Sequence, residues 1–169
     1  MNTLEAIYKR RSIRKFKNQS IAEQDLNTLL KAAMMAPTAR NCQEWEFILI
    51  KKRETLEKIM QAHPHAQMLS TADCALIVCA DTKREYMPGY WTGDCGAATQ
   101  NILLAATELG IGSVWLGVYP NEERMNAISK VVNLPEHVLP LNVIALGYPD
   151  EEKDEVNRFD PKKVHLETW

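Results

Sequence analysis

What this chain lacks narrows its chemistry first. Its four cysteines, Cys42, Cys74, Cys79 and Cys95, form no CxxC pair and no pattern with the histidines at zinc-ligand spacing. Cys74 and Cys79 flank an apolar run and read as core thiols, which fits a reduced, cytosolic compartment. No apolar run approaches the ~20 residues that a membrane span needs. The N-terminus carries Glu5 and a polar helix face instead of the apolar core of a signal peptide. Neither sign of charge dominates: 20 Lys and Arg stand against 22 Asp and Glu, net -2, so no basic field argues for nucleic acid. Repeats, low-complexity tracts, internal linkers, a catalytic triad and a carboxylate pair are all missing.

What is present is one domain's worth of chain: 169 residues, 46% hydrophobic, enough for a single core. Asn2 and Glu5 form a capping-box start, with Leu4, Ile7, Tyr8 and Arg11 on one helix face. Ser20 and Glu23 form a second capping box, followed by a stripe of Leu26, Leu29, Leu30, Ala33 and Met34 that stops before Pro37. Met34 and Met35 read as core filler. Residues 45–50 form a strand, and Leu56, Ile59 and Met60 mark a short helix that breaks at His63-Pro64-His65. The continuous apolar run 74–80 is a strand buried on both faces. The longest helix covers 92–109 with Gly110 at its C-terminus, residues 113–118 form a strand, Asn121 caps another helix, and 141–146 form the last strand. Residues 148–169 are charged, contain Pro149 and Pro161, and have too few apolar side chains to pack alone. From pattern alone, alternating helices and strands predict a doubly wound parallel sheet.

The chemistry gathers at Arg10-Arg11-Ser12-Ile13-Arg14-Lys15-Phe16, four cations and a hydroxyl directly after a short helix. Arginine's planar fork matches phosphate oxygens two at a time, so the run reads as a phosphate clamp; the other reading is a solvated charged face. Three further stretches bear on the choice: Pro37-Thr38-Ala39-Arg40-Asn41-Cys42-Gln43-Glu44-Trp45, the strand region Gly110-Ile111-Gly112-Ser113-Val114-Trp115-Leu116-Gly117-Val118, and Gly147-Tyr148-Pro149 with Arg158 beyond it. Gly110-x-Gly112 is no dinucleotide fingerprint, because it follows a helix and precedes a strand. His63 and His65 lack a third metal ligand and read as surface residues, His137 and His165 lack partners, and no motif places a histidine beside Cys42 to make it a nucleophile.

In order and spacing these stretches resemble the FMN-dependent nitroreductase family over nearly the whole chain. The resemblance implies an α+β fold with a mixed central β-sheet sandwiched by helices, an intertwined homodimer with the 148–169 tail on the partner, and FMN at the subunit interface. It implies that Arg10, Ser12 and Arg14 hold the phosphate and ribityl oxygens and that Arg11 contributes toward the ring. Arg158 is either the last phosphate ligand or one more exposed charge. Pro37, Thr38, Ala39 and Asn41 reach the flavin from the other subunit, where Asn41 offers both donor and acceptor; otherwise Asn41 is a turn residue. Leu116 and Gly117 present backbone N–H groups to flavin N5. Glu44 stands where the family often has proline, implying a looser, more acidic loop at the substrate entrance, and Thr38 stands where serine is commoner. Gln67 lies near a further family flavin contact. The implied activity is hydride transfer from NADH or NADPH through FMN to an electron-poor acceptor such as a nitroaromatic or quinone. Other flavin chemistry, such as flavin fragmentation or dehalogenation, and a non-enzymatic flavin-binding module are the alternatives.

Overall fold

A computed structural model describes all 169 residues. Helix α1 (Thr3–Lys9) begins with the expected reciprocal cap: the Asn2 side chain accepts from Glu5 N–H, and the Glu5 carboxylate accepts from Asn2 N–H. Helix α2 (Glu23–Ala33) does not begin as expected. Ala22 sits at the cap position without a side-chain bond, and Ser20 caps nothing. Buried Ile21 instead donates its N–H to Asp73 Oδ2 at 3.0 Å, so a tertiary contact sets where the helix starts. Leu26, Leu29 and Ala33 turn inward, but Met34 and Met35 are exposed; the stripe ends one residue before Met34, which is already the C-cap.

Four strands follow: β1 (Trp45–Ile50), β2 (Cys74–Asp81), β3 (Gly112–Gly117) and β4 (Val138–Gly147). They lie in the order β1-β2-β4-β3, and every neighbouring pair is antiparallel. The parallel doubly wound arrangement that alternation suggests is therefore not the one formed. Helices α3 (Arg53–Ala62), α4 (Trp91–Glu108) and α5 (Glu122–Val132) connect strands whose placement depends on pairings distant in sequence. The mixed character of the sheet is confined to one isolated parallel bridge, Ser12 to Ser113.

Strand periodicity explains the layers. Leu76, Val78 and Ala80 of β2 join Ile144 and Leu146 of β4 in a core with α2 and α4 on one face. Ala75, Ile77 and Cys79 join Val143 and Ala145 in a second core with α3 and α5 on the other. The sheet is thus sandwiched, and β2 is buried on both sides, as its unbroken apolar run implies. Gly110 (φ 70°) ends α4, and Asn121 caps α5 by accepting from Arg124 N–H.

The tail does not leave the molecule at Tyr148. Lys17 N–H donates to Tyr148 O, Asp150 N–H donates to Lys15 O, and Phe16 bridges Pro149. Beyond residue 155 the chain is exposed almost throughout, with Phe159, Leu166 and Trp169 turned to solvent.

Candidate functional site

The site is organised by β3, the edge strand that pairs only with β4. Leu146 O is turned toward β2, where it accepts from Asp73 N–H, so the Ser113–Leu146 pair carries no mutual bonds. Ser113 O accordingly faces outward and accepts from Ile13 N–H at 3.0 Å. Alternation then points the peptide groups of Trp115 and Gly117 outward as well, while those of Val114 and Leu116 point into the ladder. Of the two N–H groups expected at the flavin, Gly117's lies on the open edge and Leu116's is committed to β4. Leu116 is also buried.

Bridging Ser12 to Ser113 delivers the arginine run to the start of this edge. Arg10 is half-buried and forms no ion pair; neither do Arg14 and Arg158. Burial, then the nearby charges of Arg158 and Arg11, push the Arg10 guanidinium below its ordinary range. Arg158 from the tail thus lies near Arg10 and Arg11, and none of these three cations forms an ion pair. Arg11 is used differently. Its Nε donates to Asp154 O at 2.8 Å, and its Nη1 donates to Tyr8 O at 2.6 Å and Arg10 O at 2.9 Å, tying the tail to the end of α1. Glu151 Oε1 accepts from Arg14 N–H at 2.6 Å, which holds the backbone here and leaves the Arg14 guanidinium free of hydrogen bonds within the chain. Arg14 lines an open cleft of about 540 Å³ together with Gln67, Met68, Ser70 and Asp150.

The two glycines that bound β3 differ in what surrounds them. A Cβ on Gly112 would lie 2.9 Å from Ile13 Cγ2 and 3.2 Å from Gly147 O, so glycine lets the arginine segment lie against β3. A Cβ on Gly117 would meet nothing within 4 Å. Gly112→Ala should therefore cost about 1–3 kcal/mol of stability by overpacking, or about 2–4 °C for each kcal/mol, whereas Gly117→Ala should leave thermal unfolding unchanged. Equal melting shifts in the two variants would contradict this reading of the close approach.

At the far end of β3, the Gly117 carbonyl accepts twice, from Arg124 Nη1 at 2.6 Å and from His63 Nε2 at 2.9 Å. His63 is not a surface residue: it is 1% exposed, and burial holds its imidazole below the usual range. Nothing local marked it, because the turn after α3 folds under β3 only through long-range contacts.

The remaining predicted residues, Pro37, Thr38, Ala39 and Asn41, lie elsewhere. Thr38 Oγ1 accepts from Gln43 N–H at 3.1 Å, Asn41 Oδ1 accepts from Gln43 Nε2 at 2.8 Å, and Arg40 and Asn41 both adopt positive φ. Ala39 N–H donates to Asp94 Oδ2 at 2.8 Å, anchoring the loop to the first turn of α4. This loop precedes β1, at the edge of the sheet opposite β3. Three strand spacings, about 14 Å, separate those two edges. The chain thus brings the segment of Arg10, Ser12 and Arg14 to the edge that ends in Gly117, whereas Pro37 to Asn41 lead into β1, the edge strand on the other side, and are tied to α4.

Glu44 does not make the loop acidic at its mouth. Its side chain is 0% exposed, and neither carboxylate oxygen has a hydrogen-bond partner. Burial raises its pKa first, a backbone hydrogen bond opposes this, and the nearby carboxyls of Asp94 and Glu85 raise it further. Burial also pushes the Cys74 and Cys79 thiols up to about 12, as expected for inert core residues. No group of His, Cys, Asp and Glu side chains is placed to hold a metal ion, and no helix is long and apolar enough to cross a membrane.

Comparison with known proteins gives this arrangement a context. The chain matches the model of the nitroreductase family in two overlapping segments, residues 7–93 and 63–148. It is 48% identical, over 100% of its own length and 88% of the relative's, to a Methanothermobacter thermautotrophicus protein provisionally named as an NADH dehydrogenase/NAD(P)H nitroreductase. A crystal structure of a Parabacteroides distasonis protein given the same provisional name superposes with a TM-score of 0.95 at 38% identity, covering 100% of both chains. A nitroreductase-like protein of Desulfovibrio desulfuricans, solved in complex with FMN, superposes with a TM-score of 0.86 at 25% identity, covering 100% of this chain and 98% of that one. The arginine run on an open strand edge, within a helix-flanked antiparallel sheet, thus sits in a fold and a sequence pattern shared end to end with these proteins: the chain belongs to the nitroreductase family.

Proposed function

We propose that the chain is an NAD(P)H-dependent oxidoreductase that binds FMN along the open edge of β3 and passes two electrons to an electron-poor acceptor such as a nitroaromatic or a quinone. The observation that carries this reading is the gathering of Arg10, Arg158 and Arg11 at the start of that edge, with neither Arg10 nor Arg158 in an ion pair and the unpaired Arg14 guanidinium two residues beyond Ser12. A phosphate dianion supplies the missing charge, and arginine forks match its oxygens. Ser12 adds a hydroxyl, Gly117 adds an unpaired N–H, and the empty space where a Gly117 side chain would project leaves room for a flat ring. FMN, when bound, supplies the hydride chemistry; the chain's residues bind, orient and screen it. The protein needs no triad or metal for this work.

The same geometry supports a homodimer with composite sites. Residues 37–41 lead into β1, which β2 and β4 separate from β3 within the sheet. A second copy related by a two-fold axis brings its own loop to that edge, and in such a dimer both sites are equivalent. Exposed Leu4, Ile7 and Tyr8 on α1, with Phe159, Leu166 and Trp169 in the tail, give that copy an apolar surface to cover.

An absorbance spectrum of purified protein with added FMN, followed by NAD(P)H oxidation with a quinone, tests the activity. Visible flavin bands with turnover are expected, and parallel double-reciprocal lines if donor and acceptor alternate at one open face. A colourless, FMN-indifferent protein would sink the reading, and a yellow protein without turnover would favour a binding module. For the composite site, Arg14→Ala and Asn41→Ala homodimers should each be impaired. After verified subunit exchange, about half the dimers are mixed, and roughly a quarter of all sites regain both residues. No recovery would place both residues in a site within one chain.

A further inference from the structure

We propose that His63 and Arg124 are positioning residues: by holding the Gly117 carbonyl from two sides, they keep the outward N–H of Gly117 aimed along the open edge of β3, where the flavin ring lies. The inference rests on the flavin site proposed above.

Gly117 needs such a clamp. It ends an edge strand, carries no side chain, and has nothing within 4 Å of where a Cβ would be. No side chain limits its backbone, and on the sheet side its neighbours hold it, Leu116 in the β4 ladder and Val118 N–H donating to Leu141 O at 3.0 Å. Two donors from outside the strand fix the outward side. Arg124 reaches from the first turn of α5, whose start is fixed by the Asn121 cap, and its Nη1 lies 2.6 Å from Gly117 O. His63 reaches from the turn after α3, and its Nε2 lies 2.9 Å from the same oxygen. The histidine tautomer follows from its other bond. His65 N–H donates to His63 Nδ1 at 3.2 Å, so Nδ1 is the acceptor and Nε2 carries the proton given to Gly117 O. Burial to 1% exposure disfavours the charged form of the ring and leaves the side chain little room to turn. Two separate elements, α3 with its following turn and α5, thus converge on one carbonyl of one glycine. An orientation held this way is set before any ligand arrives, which is the condition under which a single N–H stabilises charge strongly.

The test measures the reduction potential of bound flavin in the holoprotein, alongside FMN affinity by fluorescence titration and thermal unfolding. Variants are His63→Ala, His63→Gln, which keeps an N–H donor, and Arg124→Gln. A loosened Gly117 N–H should disfavour reduced over oxidised flavin by about tenfold in His63→Ala, equivalent to about 30 mV downward for a two-electron couple. His63→Gln should recover most of this, and FMN affinity should change by less than about threefold, because the phosphate end is untouched. A merely structural role would lower the melting temperature and leave the potential alone; that outcome overturns the proposal. If His63→Ala does not fold, Arg124→Gln and the selectively glycine-labelled amide spectrum of the FMN-bound protein decide. With seven glycines, the Gly117 signal should shift and exchange faster in Arg124→Gln, and an unchanged signal overturns the clamp. A wild-type protein that binds no FMN removes the underlying site, whereas a wild type that binds it with unmoved variants removes the clamp alone.

Discussion

Arg10→Gln should lower FMN affinity by about tenfold to more than a hundredfold and, in the cofactor-free protein, raise the melting temperature. The two effects have opposite signs because one charge faces two situations. Without a ligand, Arg10 is half-buried beside Arg158 and Arg11 with no anion to balance them, and its depressed pKa records that burden. Removing the charge relieves it. With a phosphate in place, the same guanidinium forms charge-assisted bonds worth ~1.5–3 kcal/mol, where each 1.4 kcal/mol is a factor of ten. Arg14 lacks the burial, so Arg14→Ala should weaken FMN binding similarly without stabilising the apo-protein. Arg10→Lys should recover only part of the affinity, because the fork is gone. Titration of apo-protein with FMN and scanning calorimetry with and without cofactor check both halves. Affinity unchanged in Arg10→Gln and Arg14→Ala together would refute the phosphate role; an apo-protein destabilised by Arg10→Gln would refute the picture of an unbalanced cluster.

Glu44→Gln should make the protein more stable at pH 8 by about 1–3 kcal/mol, and the gain should shrink as pH falls toward the ordinary glutamate value of about 4.3. Glu44 is fully buried, its oxygens lack partners, and the groups facing it are acidic: Asp94 and Glu85, with the Cys95 thiol close by. Its pKa in the folded protein is raised, so the folded state binds a proton more tightly than the unfolded chain does. The resulting stability is fully present below the unfolded value and is lost as pH rises through the raised folded value. Glutamine has the shape of the protonated acid and does not titrate, so this pH dependence should disappear. The melting gain at pH 8 should be about 2–4 °C per kcal/mol for a chain of this size. A Glu44→Gln protein less stable than wild type at pH 8 would show that the carboxylate is ionised and satisfied there. Because Asp94 also holds Ala39, the variant should leave the 37–41 loop in place.

Local signals in the sequence were read correctly wherever the cause is itself local. The Asn2–Glu5 box, the Asn121 cap, Gly110 after α4 and the apolar run of β2 all depend on neighbours within a few positions. The errors arise where distant residues decide. Asp73 holds the Ile21 N–H just ahead of α2, whose cap position falls to Ala22, the burial of His63 depends on β3, and Glu44 lies close to Asp94 of α4. Strand direction failed for the same reason, since alternation along the chain says nothing about which strand pairs with which. The arginine run was visible as a motif, but that Pro37–Asn41 lead into the edge strand opposite β3 follows only from the order β1-β2-β4-β3.

That order has a consequence for solubility. A bare sheet edge is a template onto which a strand from another molecule can add, and proteins blunt such edges with charge, cover and brevity. Here all three act on β3. Ile13 occupies the outward carbonyl of Ser113, and His63 and Arg124 occupy that of Gly117. Between them, the outward backbone groups left over are those of Trp115 and the N–H of Gly117, too few for a foreign strand to find a register. Arginines stand at the opening. The edge proposed to receive the flavin is thereby kept too short and too positive to recruit a chain, and protein stripped of its cofactor should stay dispersed in solution.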